Sequence, residues 1–180
     1  MLEPVKRYLI TCLVVLMAMA HAVAQPKSVG TTYSLSGIGI MYEHNLNGDC
    51  FIETDIRAEM GEVFRNATDI PGISASFSCN FVFKEWKSTN GSALCAFAGP
   101  GISAGIVNDL HKDRGYFFGI KGRVGLEGIF DRRVSISASL NPIIGSHLIV
   151  REEYLEMAYY RNGLLNAILP EIGIKFLFRK

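Results

Sequence analysis

One stretch of the chain narrows the choice of fold more than any other. From Tyr116 to Phe130 the even positions carry Tyr116, Phe118, Ile120, Val124, Leu126 and Phe130, while Lys121, Arg123 and Glu127 stand at odd positions. Successive side chains of a β-strand point to opposite faces, so a strand here has one apolar face and one charged face. The stretch is much longer than the usual strand of about 5 or 6 residues. A tilted strand needs ~9–11 residues to cross a bilayer, and an aromatic residue near each end suits the two headgroup levels.

The same alternation recurs at 33–44, 50–64, 73–86, 93–106, 134–148 and 168–178. Short connections at 45–49, 87–92 and 131–133 alternate with longer ones at 65–72, 107–115 and 149–163. Asn47-Gly48 and Asn90-Gly91 are hairpin-turn pairs, because both central residues of such turns need positive φ. Short turns at one end and long loops at the other are the arrangement of bacterial outer-membrane barrels, whose strand number is even. Seven segments therefore call for an eighth, expected at 27–33 with a turn near 34–37. Pro100, Pro142 and Pro170 fall inside the segments and mark bulges or strand ends, because proline removes a ladder donor. The pattern predicts an all-β fold, a closed antiparallel transmembrane barrel of eight strands.

Lys6 and Arg7 precede an apolar stretch from Tyr8 to Ala20, and Ala22-Val23-Ala24 is a cleavage pattern before Gln25. Residues 1–24 read as a secretory signal, Cys12 included, and 25–180 as the barrel domain. Without Glu3, Lys6 and Arg7 the basic count is 18 − 2 = 16 and the acidic count 17 − 1 = 16, so the mature chain is formally neutral. That balance gives no electrostatic footprint for nucleic acid. No other apolar run approaches the ~18 residues of a spanning helix. Cys50, Cys79 and Cys95 remain, and an odd number cannot all pair within one chain. Alternation puts Cys79 with Phe77 and Phe81, but Cys95 opposite Leu94 and Ala96, so these two thiols cannot meet. The spacings fit no zinc motif. Small free thiols without a redox or metal role are expected.

Alternation alone leaves two barrels open. A soluble lipocalin-like barrel would bury the apolar face around a ligand; a membrane barrel would turn it to lipid. The polar face gathers Glu43, Glu53, Asp55, Glu59, Glu127 and Glu171 against Arg57, Lys84, Lys121, Arg123 and Lys175, many in mid-strand. It is also rich in Gly and Ser, which suits a narrow lumen. Tyr42, Phe64, Trp86, Tyr116, Phe130 and Phe178 stand near segment ends, as in interfacial girdles. These features favour the membrane barrel. Glu53, Asp55, Arg57, Glu59, Lys121, Arg123, Glu127, Glu171 and Lys175 are expected to form a paired charge network plugging its lumen.

The closing segment Pro170-Glu171-Ile172-Gly173-Ile174-Lys175-Phe176-Leu177-Phe178 resembles the C-terminal signal read by barrel-assembly machinery, although Arg179-Lys180 follow the aromatic. With the strand pattern and loop alternation, the chain from about Gly30 onward resembles the small eight-stranded outer-membrane barrel proteins, the group of the OmpA transmembrane domain, OmpX and the opacity proteins. The resemblance implies the outer membrane of a Gram-negative bacterium, outer-membrane lipid around the barrel, assembly machinery as a partner during biogenesis, and a structural or surface-interaction role.

No enzyme activity and no cofactor are expected, and no catalytic or metal residue is assigned. A lipid-modifying outer-membrane enzyme stays open as an alternative. The lipid A deacylase family uses His-x-Ser, however, whereas Ser146 and His147 are adjacent and point to opposite faces. His44 and His111 have no nucleophile nearby in sequence. Arg65-Asn66-Ala67-Thr68 reads as a polar loop, and Gly99-Pro100-Gly101 as close backbone packing. The 149–163 connection holds Arg151, Tyr154, Tyr159, Tyr160 and Arg161, residue types common in binding hot spots. These five are expected as surface-loop contacts for an extracellular ligand of unspecified chemistry.

Overall fold

A computed structural model describes residues 27–47, 49–66, 68–88, 92–109, 114–130, 133–151 and 154–178. The expected signal at 1–24, the turn residues Gly48, Asn90 and Gly91, and His111 lie outside the described residues. In chain order the elements are β1 (Lys27–Ser34), β2 (Gly37–Asn47), β3 (Cys50–Glu59), α1 (Gly61–Phe64), β4 (Gly72–Lys87), β5 (Ala93–Asn108), β6 (Arg114–Phe130), β7 (Val134–Leu140), β8 (Ile143–Val150), β9 (Leu155–Tyr159), α2 (Asn162–Leu165) and β10 (Glu171–Phe178).

Every strand pairs antiparallel with its neighbours, and β1 pairs with β10 from Lys27↔Phe178 to Tyr33↔Ile172, which closes the sheet. The ten segments make eight barrel strands. β7 and β8 are one strand interrupted at Asn141-Pro142, since β6 pairs through 124–130 with β7 and through 116–121 with β8. Pro142 has no N–H to give the ladder, but its carbonyl accepts from the Gly122 N–H at 2.8 Å. β9 and β10 likewise form one strand, split by an insert at 160–170 that carries α2.

The eighth strand is β1, joined to β2 by a tight turn at Leu35-Ser36. Other boundaries differ from the sequence pattern. The 50–64 segment stops being a strand at Glu59, where Met60 and Gly61 donate their N–H groups to the Ser36 carbonyl and start α1. The 149–163 segment is not a loop throughout, because Leu155–Tyr159 folds back on β8. Residues 168–170 belong to the insert rather than to β10.

Exposure alternates along the wall. Ile56, Ile102 and Ile120 are 62%, 64% and 69% exposed on the outer face, while Lys121 and Arg123 are 3% exposed on the inner one. Among the described residues, most of the buried side chains are polar or charged. Exposed Trp86, Phe130 and Phe178 lie near the end with the short turns, and Tyr33 and Tyr116 near the other. Tyr42 is half-buried, and Phe64 sits exposed on α1. β4 and β5 approach closely at Gly99, where a Cβ would overlap the Cys79 carbonyl and the Asn80 backbone. Gly99→Ala is therefore expected to destabilise the barrel by about 1–3 kcal/mol through overpacking. Gly61→Ala, whose Cβ would meet its nearest neighbour at 3.8 Å, should change stability by no more than about 0.5 kcal/mol. Denaturant unfolding in detergent micelles measures both.

Candidate functional site

The lumen is built from the inward positions of β2, β3, β6 and β10. Glu43 and Glu53 face each other directly across the β2–β3 pair, an arrangement that repels when both carboxylates are charged. Cations from the far wall answer them. Lys175 on β10 pairs with Glu43 and, at 2.7 Å, with Glu127 on β6. Arg123 on β6 pairs with Glu53 on β3 and approaches Glu171 on β10 at 4.0 Å. Arg57 on β3 pairs with Glu171. Lys121 on β6 reaches Asp55 on β3 at 3.0 Å and the Ser76 hydroxyl at 2.6 Å, and Ser76 also donates to Asp55. None of these ion pairs joins neighbouring strands. Each crosses the lumen, so the network ties opposite walls together.

Apolar edges complete the packing. Arg123 lies 5.4 Å over the Phe97 ring and Lys175 5.7 Å over Phe51, while Phe51 and Phe97 meet edge to face at 5.3 Å. Such contacts stabilise a desolvated cation by about 2 kcal/mol. Glu53, Asp55, Arg57, Lys121, Arg123, Glu127, Glu171 and Lys175 are all buried. Glu59, at the strand end, is half-exposed and accepts from the Ser74 hydroxyl at 2.6 Å. Lys84 is not part of the lumen. A register shift between Val82 and Lys84 changes which face its side chain takes, and the exposed ammonium lies 6.0 Å over Trp86. The lumen set is therefore six carboxylates against four cations.

An apolar cluster stands toward the opposite end of the lumen. Val107, Phe117, Ile143 and Tyr160 form a buried cluster in which Tyr160 stacks on Phe117 at 4.4 Å. Tyr160 is 2% exposed. It is a plug residue, not a surface contact, because the insert turns inward immediately after β9. Asp109 holds the insert by accepting the Arg161 and Asn162 N–H groups, both at 2.9 Å. Asn162 also donates to Glu62 on α1 and to the Asn108 carbonyl. A cavity of about 390 Å³ opens beside this lid, between α1 and α2, with Leu35, Phe64, Leu165 and Leu169 in its lining. Of the other residues expected at the surface, Arg151, Tyr154, Tyr159 and Arg161 are exposed, and Arg151 pairs with Glu156 at 3.6 Å.

His147 points inward, fully buried, with Nε2 3.2 Å from the Val107 carbonyl. Ser146 precedes it on the outward-facing parity of β8, so the two do not form a nucleophile and base. Cys95 is buried on the lumen side. Cys50 and Cys79, in contrast, place their sulfurs 3.6 Å apart on the outer face, a proximity that β3–β4 register creates and parity arguments about Cys79 and Cys95 alone do not reveal.

No protein-family model and no curated protein sequence match the chain. Solved structures do. The N-terminal β-barrel domain of Pseudomonas aeruginosa OprF matches with a TM-score of 0.52 at 13% identity, covering 85% of this chain and 96% of that one. Ail, the attachment invasion locus protein of Yersinia pestis, matches at TM-score 0.37 and 11% identity, covering 87% of this chain and all of that one. The first likeness concerns the fold: a closed, eight-stranded antiparallel barrel. The second, at its lower score, adds nothing to it.

Removing one member of a buried pair leaves the other charge uncompensated, which costs ~3–5 kcal/mol. Lys121→Met is expected to show that loss in denaturant unfolding. Asp55→Asn added to it should restore much of the stability, a non-additivity that a double-mutant cycle measures directly.

Proposed function

We propose that the chain is an outer-membrane barrel of a Gram-negative bacterium with a structural or surface-interaction role, its lumen closed by paired charges. The observation that carries this reading is the inversion of the two faces. A soluble barrel rarely exposes a contiguous apolar patch beyond a few hundred Å². Here Ile40, Ile56, Ile73, Ile102, Ile120 and Ile144 are each at least 60% exposed around the wall, while arginine, lysine and carboxylates fill the inside. A lipocalin-like barrel needs the reverse. The charged middle of the lumen leaves no apolar chamber there for a lipocalin-type ligand.

Closure of β1 on β10 supports the same reading, since hydrocarbon cannot satisfy an open sheet edge. The end bearing α1, α2 and the β8–β9 hairpin faces outward from the cell in this proposal, and the short turns face the periplasm. The surface role then falls to Arg151, Tyr154, Tyr159 and Arg161 and to the cavity beside α2. Outer-membrane lipid surrounds the wall, and barrel-assembly machinery is the partner during insertion. The arrangement of His147 and Ser146 favours no catalytic role.

The protein is expected in the outer-membrane fraction, beginning at Gln25, with a gel mobility that shifts on heating as the barrel unfolds. Recovery as a soluble periplasmic protein with no heat-dependent shift would contradict the proposal.

A further inference from the structure

We propose that Cys50 and Cys79 form a disulfide in the exported protein. The proposal rests on the outer-membrane reading, because export delivers the chain to an oxidising compartment where such bonds form and persist. The geometric ground is independent of it. The two sulfurs lie 3.6 Å apart, and a disulfide needs ~2.05 Å, so a closure of about 1.5 Å completes the bond. β3 and β4 are hydrogen-bonded neighbours in which Cys50 pairs with Phe81 and Ile52 with Cys79. The cysteines are thus diagonal neighbours on the outer face. Cys50 is the first residue of β3, next to the register shift between Asn45 and Asn47. Cys95 faces the lumen from β5 and is the internal control.

The chemistry is two thiol–disulfide exchanges with a disulfide-bearing oxidoreductase. One thiolate attacks the oxidant's disulfide, forms a mixed disulfide and releases the oxidant's second thiolate. The other cysteine thiolate then attacks the mixed disulfide, closing the Cys50–Cys79 bond and releasing the oxidant as a dithiol. Two electrons and two protons pass to the oxidant. Exchange needs a thiolate, a charged species that hydrocarbon excludes, so the bond closes before the wall meets lipid. It then fixes β3 against β4 and restricts the unfolded chain.

The test is to alkylate thiols at harvest, isolate the protein from the outer membrane and digest it with trypsin without reduction. The cut sites put Cys50 in peptide 28–57, Cys79 in 66–84 and Cys95 in 88–112. The expected result is 28–57 joined to 66–84, two hydrogens below their summed mass and separated by reduction, with 88–112 alkylated. Cys95→Ser should keep the joined peptide; Cys79→Ser should abolish it and leave Cys50 alkylated. A heat-shifting outer-membrane protein with 28–57 and 66–84 separately alkylated would overturn this inference and leave the barrel reading intact. A protein found elsewhere would overturn the barrel reading instead. In that case the protein as isolated, reduced and then exposed in detergent-free buffer to oxidised glutathione, still decides the pair: a joined 28–57/66–84 supports the geometry and its absence refutes it.

Discussion

A charge buried in a narrow lumen has to find its partner inside that lumen, and this requirement organises the protein. Eight strands enclose an interior that side chains just fill. A lone charge buried in such an interior costs several kcal/mol. Lys175, Arg123, Arg57 and Lys121 meet the cost by reaching across to carboxylates on non-adjacent strands. A ladder of backbone hydrogen bonds joins only neighbouring strands. The ion pairs supply what the ladder does not, a fixed distance between opposite walls.

The interior changes character along its length, and the change explains the irregular last strand. Charged residues fill the middle and the short-turn end, whereas toward the far end Val107, Phe117 and Ile143 form an apolar cluster beside the polar Glu59, Asp109 and His147. An apolar cluster facing solvent needs a cover. The 160–170 insert provides it by breaking the strand between β9 and β10 and stacking Tyr160 on Phe117. Asp109 satisfies backbone N–H groups of the turn that makes this possible. In the proposed reading this covered end is the one that carries the surface role.

The fold was legible because a two-residue period survives wherever strands run without interruption. Ile120 and Lys121 declare opposite faces by position alone, and the even strand count points to an eighth strand at about 27–33, where β1 (Lys27–Ser34) lies. What stayed hidden depended on breaks in the period or on contacts between distant residues. The shift between Val82 and Lys84 moves Lys84 to the surface, and nothing in the local sequence announces that bulge. Tyr160 has the composition of a binding loop around it, yet its place is set by Phe117, far away in sequence. Cys50 and Cys79 become neighbours only through the register of β3 against β4. Which carboxylate meets which cation likewise required the closed barrel, since alternation gives the face but not the partner across it.

The central claim is that paired charges and the Tyr160 lid close the lumen, and single-channel recording of the purified protein in planar bilayers tests it most directly. The account predicts a quiet membrane, without stable large conductance steps, after insertion has been verified by the heat-dependent gel shift. Reproducible large steps from the unmodified protein would mean a continuous water path through the barrel, and the closed-lumen account would be wrong.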